Sequence, residues 1–195
     1  MAKLQDEELT PSDEASAEHR IRRVYFDLIG LPPSAEEIQE FAADTDPRAF
    51  EKLVDRLLAS PRYGERWGRH WLDLARYAES TGGGRSSVLA NAWRYRNYVI
   101  GAFNDDMPYG QFITEQIAGD LLPHTSAAAR ERQLVATAFL ALGPKNLDLQ
   151  DKELLRMNTV DEQIETIGRS MLGMTISCAR CHAHKFDPIP MEDYY

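Results

Sequence analysis

Hydrophobic residues recur every three or four positions along most of the chain, which is the spacing of amphipathic α-helices. Between positions 15 and 29, for example, Ile21, Val24 and Leu28 share one helical face, and Gly30 follows as a stop signal. No segment alternates hydrophobic and polar residues in the way that a half-buried strand does. The pattern therefore predicts the all-α class, as a single irregular multi-helix domain of about seven helices.

Turn and capping residues divide this pattern into segments. Ser34 followed by Glu37 is a capping-box sequence at the start of a helix predicted for 35–43. The other helices are predicted from the same periodicity and from the proline and glycine residues between them, at 47–59, 62–79, 92–103, 108–122, 127–142 and 151–174. The glycine-rich segment 81–87 lacks the Gly-Lys-Ser/Thr ending of a phosphate-binding loop, so we interpret it as a plain linker.

Length and composition limit the possible functions. The 195 residues suit one domain, and a hydrophobic fraction of 43% is enough for a packed core. A formal net charge of −9 argues against nucleic-acid binding, which needs a basic surface. No apolar run is long enough for a membrane span, and the acidic start of the chain contains no signal peptide. We expect residues 1–14 to be flexible and residues 15–195 to form the domain, as an excised part of a larger protein.

The strongest chemical signal is Cys178-Ala179-Arg180-Cys181-His182, a C-x-x-C-H motif that uses both cysteines of the chain. In c-type haem attachment the two thiols form thioethers with the haem vinyl groups, and the histidine ligates the iron. Two other interpretations stay open. With His184 the motif offers four zinc donors within a short segment, although structural zinc sites usually take their second ligand pair from a distant loop. The third interpretation is a bare pair of thiols.

The best upstream candidate for a second ligand is His70, in the helix predicted for 62–79. An apolar face recurs in that helix at i, i+4, i+7 and i+11, formed by Trp67, Trp71, Leu74 and Ala78. At about 100° per residue, His70 falls beside this face, where a half-buried side chain can line a site. We therefore predict that His70 faces the segment 178–184.

Several blocks of the sequence carry a resemblance to a known family. They are RRVYFDLIGLPP at 22–33, LVDRLLASP at 53–61, YGERW at 63–67, RHWLD at 69–73, ARYAES at 75–80 and CARCHAHKFDPI at 178–189. On these blocks the chain is similar to the planctomycete cytochrome-like domain PSCyt2 (DUF1549). Members of that family resemble large exported proteins, in which the domain sits between a cytochrome c-like domain and another domain of unknown function.

The resemblance implies an extracytoplasmic, haem-associated role, in the periplasm or secreted. We accordingly expect a c-type haem-binding or electron-transfer module in which Cys178, Cys181 and His182 hold haem c and His70 is a further ligand. Its partners would be a redox protein or the adjacent domains of the full-length protein.

Two alternatives from other classes remain. One is a structural or carbohydrate-associated module whose cysteine and histidine site binds zinc or nothing. The other is a metal-dependent enzyme that uses His70, Asp73, His182 and His184. The sequence contains no esterase elbow or zincin motif, so no separate catalytic centre is identified and the question of enzymatic activity stays open.

Overall fold

Helices make up all the regular secondary structure of the computed structural model, which describes residues 2–195. Over those residues the extended segments form only two isolated β-bridges, so the all-α prediction is confirmed. None of the helices described is long and apolar enough to cross a membrane. The α-helices are α1 (Ala2–Asp6), α2 (Ala17–Leu28), α3 (Ala35–Ala43), α4 (Ala49–Leu58), α5 (Pro61–Leu74), α6 (Ala92–Asn104), α7 (Tyr109–Ala118), α8 (Ala127–Ala136) and α9 (Lys152–Ile167).

Local signals place the starts of several helices where the sequence predicts them. The capping box of α3 is complete, because Ser34 Oγ accepts from the Glu37 N–H (3.2 Å) and Glu37 Oε2 accepts from the Ser34 N–H (2.7 Å). Helices α2 to α9 lie within the predicted segments or overlap them. Helix α1 falls in the segment 1–14, whose flexibility stays a prediction.

The chain divides into two compact units, of which the first ends at Arg62 and the second comprises Tyr63–Tyr195. In the first unit, α2 and α4 bury Ile21, Tyr25, Leu53 and Leu57 against one another. The Tyr25 hydroxyl donates to the Glu37 carboxylate, and it accepts from Arg56 Nη2 (2.9 Å). The sequence predicts one domain over residues 15–195, and this stays a prediction. Periodicity alone does not reveal the division, because it shows which face of a helix is apolar and not which helix covers it.

An aromatic core lies in the second unit, where α5, α6, α7 and α8 meet. The indole of Trp71 stacks on Phe139 with ring centroids 5.6 Å apart and meets Phe112 edge-on at 4.8 Å. Its Nε1–H donates to Gln116 Oε1 (2.8 Å), so the polar edge of the ring is satisfied inside the core. Tyr95, which is 1% exposed, donates its hydroxyl proton to the same oxygen.

The buried face of α5 differs from the predicted one. The predicted face was wrong at Trp67 and Leu74, which are 37% and 41% exposed. The buried positions of α5 are Gly64, Gly68, Trp71 and Leu72, and Ala75, directly after the helix, is buried as well. A Cβ on Gly64 would lie 2.4 Å from the Ile100 carbonyl oxygen, so α5 and α6 approach at a distance that only glycine permits. Close backbone packing, which a hydrophobicity pattern does not register, therefore decides the face.

Helix α5 also ends at Leu74, five positions before the predicted end. Arg76 adopts a left-handed conformation (φ 53°), and the Tyr77 N–H donates back to the Leu72 carbonyl (2.9 Å), which closes the helix. The Arg76 side chain then reaches Glu162 of α9.

The segment 81–87 is built into the fold, contrary to its interpretation as a plain linker. The Thr81 N–H donates to Ser87 O (2.9 Å), and Thr81 O accepts from the Lys145 N–H (2.9 Å). A Cβ on Gly83 would lie 2.9 Å from the Asn146 nitrogen. The glycines therefore allow this loop to pack directly against the backbone at 145–146.

Candidate functional site

The C-x-x-C-H segment is brought against α9 by a sharp reversal of the chain. After Ile167 the helix widens into one π-helical turn, Gly168–Leu172, and Gly173 adopts φ 65°. The Met174 N–H donates to Gly168 O (3.0 Å) and fixes the reversal. A Cβ on Gly168 would lie 3.0 Å from Ile176 Cδ1, so the segment after the reversal lies close to the end of the helix. The sequence predicts α-helix to 174 and misses this turn.

Polar side chains of α9 fasten the returning segment. Glu165 Oε2 accepts from the Ser177 N–H (2.8 Å). Arg180 donates from Nη1 to Asp161 Oδ2 (3.0 Å) and from Nη2 to Asn158 Oδ1 (2.8 Å). Acidic residues on a helix usually form a solvated face, yet the side chains of Asp161 and Glu165 are only 20% and 15% exposed. Their spacing of one helical turn is the only sequence signal that they share a face.

A short 3-10 helix, Ser177–Arg180, presents the two thiols. Ala179 is fully buried on the inner side of this turn, whereas Cys178 and Cys181 are exposed and are free thiols. The Cys178 carbonyl accepts from the N–H groups of Cys181 (3.3 Å) and His182 (3.4 Å). The turn therefore holds both cysteines and the histidine in one compact backbone unit with the thiols facing solvent.

His182 is exposed, and one ring nitrogen is committed to the backbone. Its Nδ1 lies 2.9 Å from the carbonyl oxygen of Ala183. Because a carbonyl oxygen can only accept, this hydrogen bond requires the proton on Nδ1. The Nε2 atom of the neutral ring then carries the lone pair, which is the form in which histidine binds a metal.

His184 has a different environment, although it lies only two residues further on. Its side chain is 7% exposed. Its Nε2 lies 3.1 Å from Thr175 O, and its Nδ1 lies 3.0 Å from both the backbone nitrogen and Oδ2 of Asp187. Both ring nitrogens therefore have partners within the protein, and the contacts hold the loop after the motif. Asp187 thus lies against this histidine with both its backbone N–H and its carboxylate.

His70 lies on the exposed side of α5. Its ring packs against Trp67 with centroids 5.4 Å apart, and the neighbouring Asp73 carboxylate accepts from Arg69 Nε (2.9 Å). The glycine face of α5 turns Trp67 and His70 outward together, so His70 is more exposed than the predicted half-buried position. Its role as a second ligand stays a prediction.

The site residues do not assemble a cage of protein ligands. Over residues 2–195, no three histidine, cysteine, aspartate or glutamate side chains come close enough together to hold a metal ion. The arrangement instead offers one histidine nitrogen beside two free thiols on the surface of an all-helical unit.

This fold and site define an all-helical chain with a solvent-facing C-x-x-C-H turn. The chain belongs to the family described as "PSCyt2: Protein of unknown function (DUF1549)", whose model matches residues 1–195. No curated protein and no solved structure matches it.

Proposed function

We propose that this chain is a c-type haem-binding module that transfers electrons within an exported multidomain protein. The observation that carries the proposal is the geometry of His182, whose Nδ1 is hydrogen-bonded to Ala183 O while Cys178 and Cys181 are free and exposed beside it. Cys178 and Cys181 would hold the haem through thioether bonds, and His182 Nε2 would be the proximal ligand. When bound, haem iron supplies reversible one-electron chemistry.

The number of available ligands favours haem over zinc. A structural zinc ion needs four protein ligands, and catalytic zinc usually needs three. A porphyrin brings four nitrogen ligands of its own, so the protein has to supply only one or two axial ligands. His182 meets that requirement, whereas His184 is engaged by Thr175 and Asp187.

Exposed apolar side chains that flank the motif in the sequence would also suit a porphyrin. Leu172 precedes Cys178 by six positions and Phe186 follows His182 by four, and these side chains are 64% and 82% exposed. Large apolar side chains that remain exposed are typical of a surface that another apolar group covers. A haem held here would keep an accessible edge, which electron exchange with a redox protein or an adjacent domain requires.

The proposed chemistry implies a location and a second ligand. Haem c is attached outside the cytoplasm, so the parent protein would be periplasmic or secreted. His70 is the upstream histidine that we propose to test as the second axial ligand, because its ring is exposed and its neighbour Asp73 is paired with Arg69.

The test is to produce the chain in a periplasm that contains haem c maturation machinery and to record a pyridine haemochrome spectrum after denaturation. We expect covalent haem in the wild type and none in a Cys178→Ala/Cys181→Ala variant. His182→Ala should change the Soret band strongly. His184→Ala is the matched control, and it should keep the haem spectrum while lowering thermal stability through its lost loop contacts. His70→Ala shifts the Soret band only if His70 is the second ligand.

Two results would contradict the proposal. One is a colourless wild-type protein that carries stoichiometric zinc. The other is haem that is lost with His184→Ala but kept with His182→Ala, because it would show that the accessible nitrogen at His182 is not the ligand.

A further inference from the structure

The second unit contains a cavity among α5, α6 and α7, apart from the C-x-x-C-H turn. Its volume is about 190 Å³. An apolar cavity of about 150 Å³ accommodates benzene, so this space is large enough for a small organic molecule. The lining is dominated by aromatic side chains with one carboxylate among them: Tyr63, Trp71, Phe103, Tyr109, Phe112 and Asp106.

The inner wall of this cavity is held in place by the core. Phe112 is 5% exposed, and it meets Trp71 at 4.8 Å and Phe103 at 6.2 Å in edge-on contacts. The indole of Trp71 is fixed from behind by Gln116 (2.8 Å). Tyr109, by contrast, is 60% exposed and forms the outer wall. A ligand would therefore meet a preformed aromatic surface on the inside, and few side chains would have to be ordered on binding.

Asp106 gives the cavity its charge. It is the only ionisable acid or base in the lining besides the tyrosines, and no lysine, arginine or histidine accompanies it there. It directly follows the α6 cap and has φ 48°, a left-handed conformation that non-glycine residues seldom adopt. The C-terminus of α6 and the N-terminus of α7 meet here, so their dipoles offset one another and the carboxylate sets the sign of the potential.

We propose that this cavity binds a small organic cation whose ammonium group is covered by methyl groups. Aromatic rings attract a cation through their quadrupoles, and methyl groups fill an apolar space without needing hydrogen-bond partners. A primary ammonium has three N–H groups to satisfy, and the side chains of the lining offer one carboxylate and two tyrosine hydroxyls as acceptors. An anion would meet no positive side chain in the lining.

The experiment is isothermal titration calorimetry of the 195-residue chain with choline chloride at constant ionic strength. The comparison ligand is 3,3-dimethylbutan-1-ol, the neutral isostere in which carbon replaces the ammonium nitrogen. We expect saturable choline binding below about 10 mM. The neutral isostere should bind at least about tenfold more weakly, because it matches the shape but lacks the charge.

Two variants test the assigned residues. Asp106→Asn should weaken choline binding about tenfold, since asparagine tolerates the left-handed conformation and removes only the charge. Asp105→Asn is the matched control: Asp105 lies one position earlier, does not line the cavity, and its variant should bind within about twofold of the wild type. Tyr109→Leu, which keeps an apolar wall without a ring, should weaken choline more than it weakens the isostere.

Any of three results would overturn the proposal. These are no saturation by choline in this range, equal affinity for choline and its neutral isostere, or equal effects of the two asparagine variants. Circular dichroism of each variant should match the wild type, and Asp105→Asn provides the reference for any small loss of stability.

Discussion

Glu162 is the residue whose neutralisation we expect to be most damaging, because it is the only carboxylate that the structure shows in contact with two largely buried cations. Its side chain is 13% exposed and pairs with Arg76, and the nitrogen of Lys145 lies 3.9 Å away. The two cations are themselves only 29% and 19% exposed. A Cβ on Gly143 would lie 1.4 Å from Glu162 Oε1, so backbone encloses the carboxylate on that side. Burial lowers the pKa of both Arg76 and Lys145, and Glu162 opposes this change in each.

Glu162→Gln leaves two partly buried positive charges without their counter-ion. Breaking a buried pair costs about 3 to 5 kcal/mol, and the residual exposure of Arg76 places the expected loss near the lower end, at about 3 kcal/mol. The matched control is Glu153→Gln on the same helix. Glu153 and its partner Arg156 are 70% and 63% exposed, so this substitution should leave the free energy of unfolding close to the wild-type value.

Urea unfolding followed by circular dichroism at pH 7 measures the free energy of unfolding of both variants. Without the Glu162 charge, the pKa of Lys145 in the folded state falls further below its ordinary value of 10.5. The folded state then binds fewer protons than the unfolded state. The free energy of unfolding therefore rises as the pH approaches 10.5. The variant should therefore recover part of its loss at alkaline pH, and Lys145→Met in the same background should recover part of it at pH 7. Equal losses in Glu162→Gln and Glu153→Gln would refute the reasoning.

Two other predictions concern packing and pH. Gly64→Ala should cost about 3 kcal/mol because its Cβ meets the Ile100 carbonyl, whereas Gly101→Ala, with nothing within 4 Å, should stabilise α6 by about 0.5 to 1 kcal/mol. Similar thermal shifts in the two variants would contradict the close approach of α5 and α6. Burial, and then the hydrogen bond to Glu37, raise the pKa of Tyr25 from 10.0 to about 12. The unfolded state therefore loses this proton first, and stability falls between pH 10 and 12 with a slope of at most about 1.4 kcal/mol per pH unit; urea titrations should show a shallower fall in Tyr25→Phe.

The sequence alone was sufficient for features whose partners lie within one helical turn. The spacing of apolar residues predicts that helices exist, and Ser34 with Glu37 predicts how α3 begins. These features depend on contacts between residues three or four positions apart, and that spacing can be read directly from the sequence. The C-x-x-C-H motif is equally local, since it comprises five consecutive residues, and the haem chemistry inferred from it stays a prediction.

The tertiary structure decided which faces are buried and which site residues are available. Trp67 outweighs Gly64 in any hydrophobicity pattern, yet glycine is buried because the backbones of α5 and α6 need the space of its missing side chain. His182 and His184 look alike in sequence. The reversal at Gly173 determines their difference, because it places His184 against Thr175 and leaves His182 in solvent.

The side chains of α9 that hold the C-x-x-C-H segment were also not predictable from the sequence. Glu165 and Asp161 bind groups 12 and 19 positions away, at Ser177 and Arg180. Their spacing is also that of an ordinary solvated helix face, so nothing local distinguishes the two cases. A sequence pattern records the preferences of a segment for water or for the interior, whereas the pairing of distant segments depends on the path of the backbone between them.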